Sequence, residues 1–405
     1  MSPLQPISFY MRRLGSQESQ VSHELSLDSD SSVTVSRAKR RRRAAKSIFL
    51  LLATTAFGAI IWLGIAYVKI RSLLQASPPS NEYSAISALW RSPDDAASLI
   101  NYHSSPGGIA DVSPLPCHSH NDYWRKVPLF DAISYGCVSV EADIWLSDSS
   151  DFPDRQISFD GGPPETVRSI ELQVGHARDA LTPDRTLDSL YLGPLFHLLY
   201  ERTSPDDGST LGIFGPAPST TLVLLIDFKP SRDVRAVWRA LQLSLSVFRK
   251  FGWLTRWDRE RNERVAGPLT IVASGDAPFD EIVASPHADV FFDAPLGELA
   301  TDNRYNASNS YYASGSLGGL VGKLGLGQSL SGAQVEKLTS VVRAVRERGL
   351  VARVWGTPKW PVATRNKVWE QLVEAGVGVL NVDEFGTATR KDWRLCNIAG
   401  VELCP

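Results

Sequence analysis

Between Ile48 and Val68 the chain runs for 21 residues, IFLLLATTAFGAIIWLGIAYV, without a single charge. As a helix rising about 1.5 Å per residue this stretch is ~31 Å long, the thickness of a bilayer's hydrocarbon core. Core helices and signal-peptide apolar regions rarely reach that length, so the pattern predicts a transmembrane anchor. Trp62 and Tyr67, near one end, suit an interfacial aromatic belt. Beyond residue 110 the pattern changes to short β-branched runs alternating with longer helical periods, as parallel βα units do. Strands are predicted at Ala110–His118, Val138–Trp145, Glu171–Gly175, Thr221–Phe228, Leu269–Ala273, Asp289–Phe292, Val351–Trp355 and Gly378–Val382. Eight parallel strands close a TIM (β/α)8 barrel, so the fold class is α/β, a barrel preceded by one N-terminal transmembrane helix. Helices are predicted at Pro128–Tyr135, Val234–Phe251, Ser331–Arg348 and Ala363–Ala375; the third starts on a Ser331 cap and stops at Gly349. Residues 147–170, 202–220 and 295–330 are Gly, Pro, Ser and Asp-rich and predict long loops, which in barrels gather on the C-terminal face, where sites are built.

Four segments follow: residues 1–47, a disordered basic tail; 48–68, the span; 69–110, a stalk whose amphipathic piece Ala85–Ile100 can pack on the body; and 111–405, the barrel. The formal net charge of −2 averages unlike parts, because residues 1–46 carry +5 and leave −7 on the rest. An acidic body argues against a nucleic-acid partner. Seven basic residues (Arg37, Lys39, Arg40, Arg41, Arg42, Arg43, Lys46) precede the span and only Lys69 and Arg71 follow closely. Positive flanks stay cytosolic, which predicts a type II protein with its body on the lumenal or extracytosolic side; adjacency to the span weakens the rival reading of RAKRRRR as a nuclear localisation run. Of four cysteines, Cys396 and Cys404 close a short C-terminal loop that an oxidising lumen would staple. Cys117 and Cys137 fall near opposite ends of neighbouring predicted strands, too far apart to bridge, and are expected to be unpaired core residues. Asn306, with Ala307 and Ser308, makes a glycosylation sequon in a polar loop.

Chemistry gathers where strands are predicted to end. His118, followed by His120, Asn121 and Asp122, ends the first strand in CHSHNDY; His176 ends the third in LQVGH; Asp227 and Lys229 end the fourth in LLIDFK. Glu141 and Asp143 in VEADIWL stand two apart, on one face of the second strand. Two carboxylates on one face repel unless paired or bound to a cation, and a few carboxylate oxygens in a hydrated site suit one Mg²⁺ or Ca²⁺. Imidazoles on adjacent strands then supply acid and base to a phosphodiester. Singly each residue has a structural explanation, such as an ion pair of Glu141 or Asp227 with Lys229; together, at four consecutive strand ends, they make a site.

CHSHNDYWRKVPLFDAISYGCVSVEADIWL, followed by LQVGH and TLDSLYLGPL, resembles the altered inheritance of mitochondria protein 6 family of fungi, within the phospholipase C-like phosphodiesterases that include glycerophosphodiester phosphodiesterases and sphingomyelinase D. The resemblance spans about residues 110 to 390; HSHNDY with EAD is specific, and the later strands match loosely. It implies a metal-dependent phosphoric diester hydrolase acting on a phospholipid-type or glycerophosphodiester substrate. Glu141, Asp143 and Asp227 would hold the cation, and His118 or His120 would act with His176 and Lys229, the metal and Lys229 stabilising charge on the phosphate. Asn121, Asp122 and Trp355 are expected to contact substrate. The chain departs from the superfamily in two places. Its HSH replaces HRG, so His118 and His120 remain alternatives, and Ala177 follows His176 where glycerophosphodiesterases carry Asp, which weakens the case for glycerol-type specificity.

Two rivals remain. The pair His118 and His120 also suits a zinc amidohydrolase, which needs further histidines where this chain has Ser274 and Asp293. A tethered barrel that has lost catalysis would serve as a binding or scaffold protein.

Overall fold

The computed structural model describes residues 21–74, 81–92, 112–147, 155–157, 165–167, 171–389, 397–398 and 401–402. The chain forms two compact units, Met1–Ile70 and Arg71–Pro405. In the first, helix α1 (Val21–Leu74) contains Val35–Val68, long and apolar enough to cross a membrane, with none of its most apolar window buried against protein. A core helix would be covered, so the exposure matches the apolar pattern. The helix also runs through the basic segment back to Val21, where the sequence predicts a disordered tail. Arg and Lys are good helix formers, and once the apolar run nucleates a helix, adding residues to its end is cheap.

In the second unit, the short helix α2 (Glu82–Leu89) begins at Asn81, whose side chain accepts from the Ser84 backbone N–H. It is no free stalk. Tyr83 and Ile86 are buried in the main core, the Tyr83 hydroxyl donates to Ile213 O at 2.5 Å, and Asn81 Nδ2 donates to Ser134 O at 2.8 Å.

The barrel is built from β1 (Leu115–Ser119), β2 (Cys137–Leu146), β4 (Leu222–Phe228), β5 (Leu269–Gly275), β6 (Val290–Pro295), β7 (Ser310–Ser316), β8 (Val351–Trp355) and β9 (Val379–Val382), with a separate strand, β3 (Leu172–Val174), in chain order between β2 and β4. The eight pair in parallel as β1–β9–β8–β7–β6–β5–β4–β2, and β2 closes back on β1. Eight parallel strands were expected, but two assignments change. The Glu171–Gly175 strand exists as β3, yet it runs antiparallel to the end of β2, with Val174 opposite Ile144, and lies outside the barrel. Its place in the closed sheet is taken by β7, inside a segment read as a loop, because SYYASGS has small and polar residues and no β-branched run. The 202–220 segment leads into the N-terminal end of β4 and so leaves the C-terminal face.

Helices at Phe130–Ser134 (α3), Val234–Ser244 (α4), Gly332–Glu347 (α5) and Val362–Glu374 (α6) confirm the four predicted connections. Ser331 caps α5 as expected, forming a capping box with Gln334.

Cys117 and Cys137 form a disulfide, against the expectation that they stay apart. A register shift between Leu115 and His118 brings Cys117 beside the first residue of β2, with Cα atoms 4.7 Å apart. Closing a loop of this 20-residue separation contributes on the order of 3 kcal/mol. The predicted Cys396–Cys404 pair lies outside the described residues.

Candidate active site

Inside the barrel, Val223, Leu225, Val272, Tyr312 and Val379 form an apolar floor. Side chains alternate along a strand, so on β2 Ser139, Glu141 and Asp143 all face inward, and the register sets Glu141 beside Leu225 and Asp143 beside Asp227. A polar layer therefore begins where the floor ends. Glu141, Asp143 and Asp227 each present an oxygen within 4.8 Å of the others, as the sequence predicts. Room for Asp227 depends on Gly275, at φ +65°. A Cβ there would sit 2.3 Å from Asp227 Oδ1 and 2.5 Å from the Phe228 carbonyl.

Two cations serve this layer. Lys229 Nζ lies 2.6 Å from Asp143 Oδ2 and 2.5 Å from Asp227 Oδ2. Arg353, a single charge within the apolar strand β8, reaches Glu141 Oε2 at 3.2 Å, Asp293 Oδ2 at 3.5 Å and Asn381 Oδ1 at 3.1 Å. Burial would raise the Glu141 carboxyl, but Arg353 and the His118 hydrogen bond outweigh it and hold Glu141 well below the usual carboxylate range. For Asp143, Asp227 and Asp293 burial prevails and pushes the carboxyls up, against the pull of Lys229 on the first two and of Arg353 on the third. Burial would depress the Lys229 ammonium, yet its two carboxylate partners raise it.

Four carboxylates thus face two fixed cations. Asp143 Oδ1 is buried with no hydrogen-bond partner, an orphaned acceptor within the trio. An unsatisfied buried oxygen and an excess of negative charge fit a divalent cation on Glu141, Asp143 and Asp227.

The structure separates the two histidines of HSH. His118 is fully buried, with Nδ1 paired to Ser139 Oγ at 2.7 Å and Nε2 to Glu141 Oε2 at 3.0 Å. Burial, reinforced by Arg353, lowers its imidazole to about 4. Both of its nitrogens are engaged by protein groups, and it orients Glu141. His120 differs. Its Nδ1 pairs with Asp383 Oδ1 at 2.7 Å, and it lines a cavity of about 390 Å³ together with Trp355, Lys359, Asn381 and Asp383. Asp383 is held down at about 2, its burial outweighed by His120 and by Lys359, whose Nζ lies 2.8 Å away.

His176 follows β3 rather than a barrel strand, yet it arrives at the same mouth because β3 lies along the end of β2. Trp145 Nε1 donates to the Gly175 carbonyl at 2.6 Å and pins the turn. His176 Nδ1 lies 3.3 Å from Asp143 Oδ2 and 3.2 Å from the Tyr123 hydroxyl, which itself donates to Asp143 Oδ2 at 2.7 Å.

Of the expected substrate contacts, Trp355 lines the cavity, and Asn121 is buried, its Oδ1 lying 2.8 Å from the Tyr123 hydroxyl. Asp122 is a correction. It is fully buried and accepts from Ser119 Oγ, Leu129 N and the Tyr191 hydroxyl, so it braces the turn after β1. Burial raises its carboxyl to about 6. Sequence reasoning missed Arg353, Tyr123, Lys359 and the pairing of Asp383 with His120. Only Arg353 carried a signal, a lone charge in VARVW that must find partners once buried.

A family model described as the AIM6-like phosphodiesterase domain matches residues 108–158 and 166–293, which include the carboxylate trio, His120, His176 and Lys229. Altered inheritance of mitochondria protein 6 of Eremothecium gossypii is 36% identical over 285 residues, covering 67% of this chain and 68% of its own. The homolog from Arthroderma benhamiae is 34% identical over 291 residues, covering 68% and 83%. The protein of that name from Zygosaccharomyces rouxii is 33% identical over 294 residues, covering 69% of each chain. No solved structure matches significantly.

Proposed function

This chain belongs to the altered inheritance of mitochondria protein 6 family, and on that premise we propose that it is a membrane-anchored, metal-dependent phosphoric diester hydrolase. The observation that carries the reading is the carboxylate trio Glu141, Asp143 and Asp227, with the unpartnered Asp143 oxygen, beside two accessible histidines at one barrel mouth. When bound, a Mg²⁺ or Ca²⁺ ion would supply positive charge to the phosphate. Lys229, held by Asp143 and Asp227, adds a fixed charge on the same side.

His120 and His176 divide the proton work. Asp383 engages Nδ1 of His120, which leaves Nε2 to exchange a proton with the substrate. His176 is engaged through Nδ1 by Asp143 and Tyr123, and its Nε2 is likewise left for the other proton. One imidazole takes the proton of the attacking water or substrate hydroxyl, and the other protonates the leaving oxygen. Trp355 offers an apolar wall beside His120.

The test is turnover of a phosphodiester panel by the full chain with Mg²⁺, Ca²⁺ or chelator. Metal-dependent hydrolysis is expected, together with thermal stabilisation that grows with metal concentration by mass action. Absence of both, with no metal bound, would sink the reading and leave a tethered non-enzyme.

The topology proposed is type II, with the body on the far side of the membrane from the basic flank. Two features suit an oxidising, glycosylating compartment: the Cys117–Cys137 disulfide and an exposed Asn306 whose Oδ1 accepts from Ser308 N at 2.9 Å. The native protein should therefore shift in mobility on endoglycosidase treatment, and Asn306→Gln should remove the shift. An unglycosylated chain with reduced cysteines in its native membrane would place the body in the cytosol.

A further inference from the structure

Outside α1, three tryptophans among the described residues are exposed, and all three lie in segments that follow the C-terminal ends of barrel strands. They are Trp124 after β1 and Trp355 and Trp360 at and after β8, at 62%, 45% and 63% exposure; Leu326, after β7, is 88% exposed. β7, β8, β9 and β1 are consecutive around the barrel, so these side chains form one arc of the mouth. Leaving large apolar groups in water forfeits the free energy of covering them, and an arc of them beside a site marks a ligand surface.

Within the arc lies a groove of about 410 Å³ whose apolar side chains are Leu317, Leu324, Leu326, Pro358 and Trp360, with Lys323 and Thr364 also on its lining. It adjoins the His120 cavity, and the two share Gly356 and Pro358. On one side of that partition His120, Lys359 and Asp383 stand with Trp355 and Trp369, and on the other the leucines and Trp360 stand with Lys323 and Thr364 at the groove's edge. Gly356, at φ +70°, makes the turn that sets the two side by side.

We infer that the substrate is an amphipathic phosphodiester whose hydrocarbon chain lies in the Leu326–Trp360 groove while its phosphate reaches the His120 cavity. The inference rests on the phosphodiesterase reading and selects lipid-like diesters over water-soluble glycerophosphodiesters. Continuity of the groove with the His120 cavity is what assigns the occupant. A chain leaving the phosphate past Trp355 meets that apolar wall first.

The experiment uses the full chain in nanodiscs with alkyl p-nitrophenyl phosphates bearing two to eight carbons, all below micellar concentration. A chain half-covered by the groove should raise kcat/KM about twofold per methylene, half of the effect in kcal/mol expected for complete burial. In Trp360→Ala and Leu326→Ser the octyl to ethyl ratio should collapse towards one. A flat series in the wild type, as when a segment of the protein itself fills the groove, overturns the inference and leaves the hydrolase standing. No turnover of any member overturns the underlying reading. Independently of turnover, an alkyl phosphodiester with a terminal diazirine should label peptides holding Leu326 or Trp360; labelling confined to α1 would overturn the assignment.

Discussion

His120→Ala is expected to lower kcat on any accepted phosphodiester by about 10²- to 10⁴-fold, the range for removing a positioned acid or base. The cation concentration giving half-maximal activity should stay the same, because His120 pairs with Asp383 and not with the carboxylate trio. His118→Gln should show the converse. It removes the partner that fixes Glu141 from 3.0 Å, so the metal requirement should rise while kcat at saturating metal falls less. Asp383→Asn should cost roughly ten- to a hundredfold in kcat, since an amide holds the wrong ring tautomer less firmly than a carboxylate holds the right one. A His120→Ala protein of normal kcat beside an inactive His118→Gln would reverse these roles. His176→Ala tests the other member of the pair and should lose activity on the scale of His120→Ala.

The contrast between these two histidines marks where the sequence runs out. CHSHNDY places both at the end of β1, and strand alternation alone puts positions 118 and 120 on the same side. Only the partners separate them: Ser139 and Glu141 arrive from β2, Asp383 from beyond β9. Legibility elsewhere follows the same logic. β2 and β4 were readable because VSVEAD carries two acids at a two-residue spacing and LVLLID is a leucine-rich and β-branched run ending in an acid, both local signals. β7 was not, because a strand wrapped by neighbours on both edges needs no strong intrinsic propensity. The Cys117–Cys137 bridge escaped for a third reason: pairing depended on a register shift in β1, and no residue type announces a shift of that kind. The exposed tryptophans were visible as letters, but their common arc required the order of strands around the barrel.

Arg353→Met is expected to be the most destabilising single change in the barrel interior, by about 3–5 kcal/mol. Arg353 is 4% exposed and compensates two buried carboxylates, Glu141 and Asp293, on opposite sides of the barrel. Methionine fills most of the volume but leaves both acids without a cation, and for a domain of this size the loss corresponds to a fall in Tm of about 10 °C. The pH dependence gives the sign of the cause. In the wild type Glu141 is held below its ordinary range, so its share of stability is present above the unfolded carboxylate value and is lost only in strong acid. Without Arg353 the dominant influence on Glu141 is burial, which raises the carboxyl. With the Arg353 pull removed and only His118 and His120 left to oppose burial, Glu141 takes up a proton at higher pH than in the wild type, so the variant regains stability relative to the wild type as pH falls. The gap in Tm between wild type and variant should accordingly narrow as pH falls. A gap independent of pH would mean that Arg353 acts through packing of its stem, and the paired charges would then be incidental to the fold.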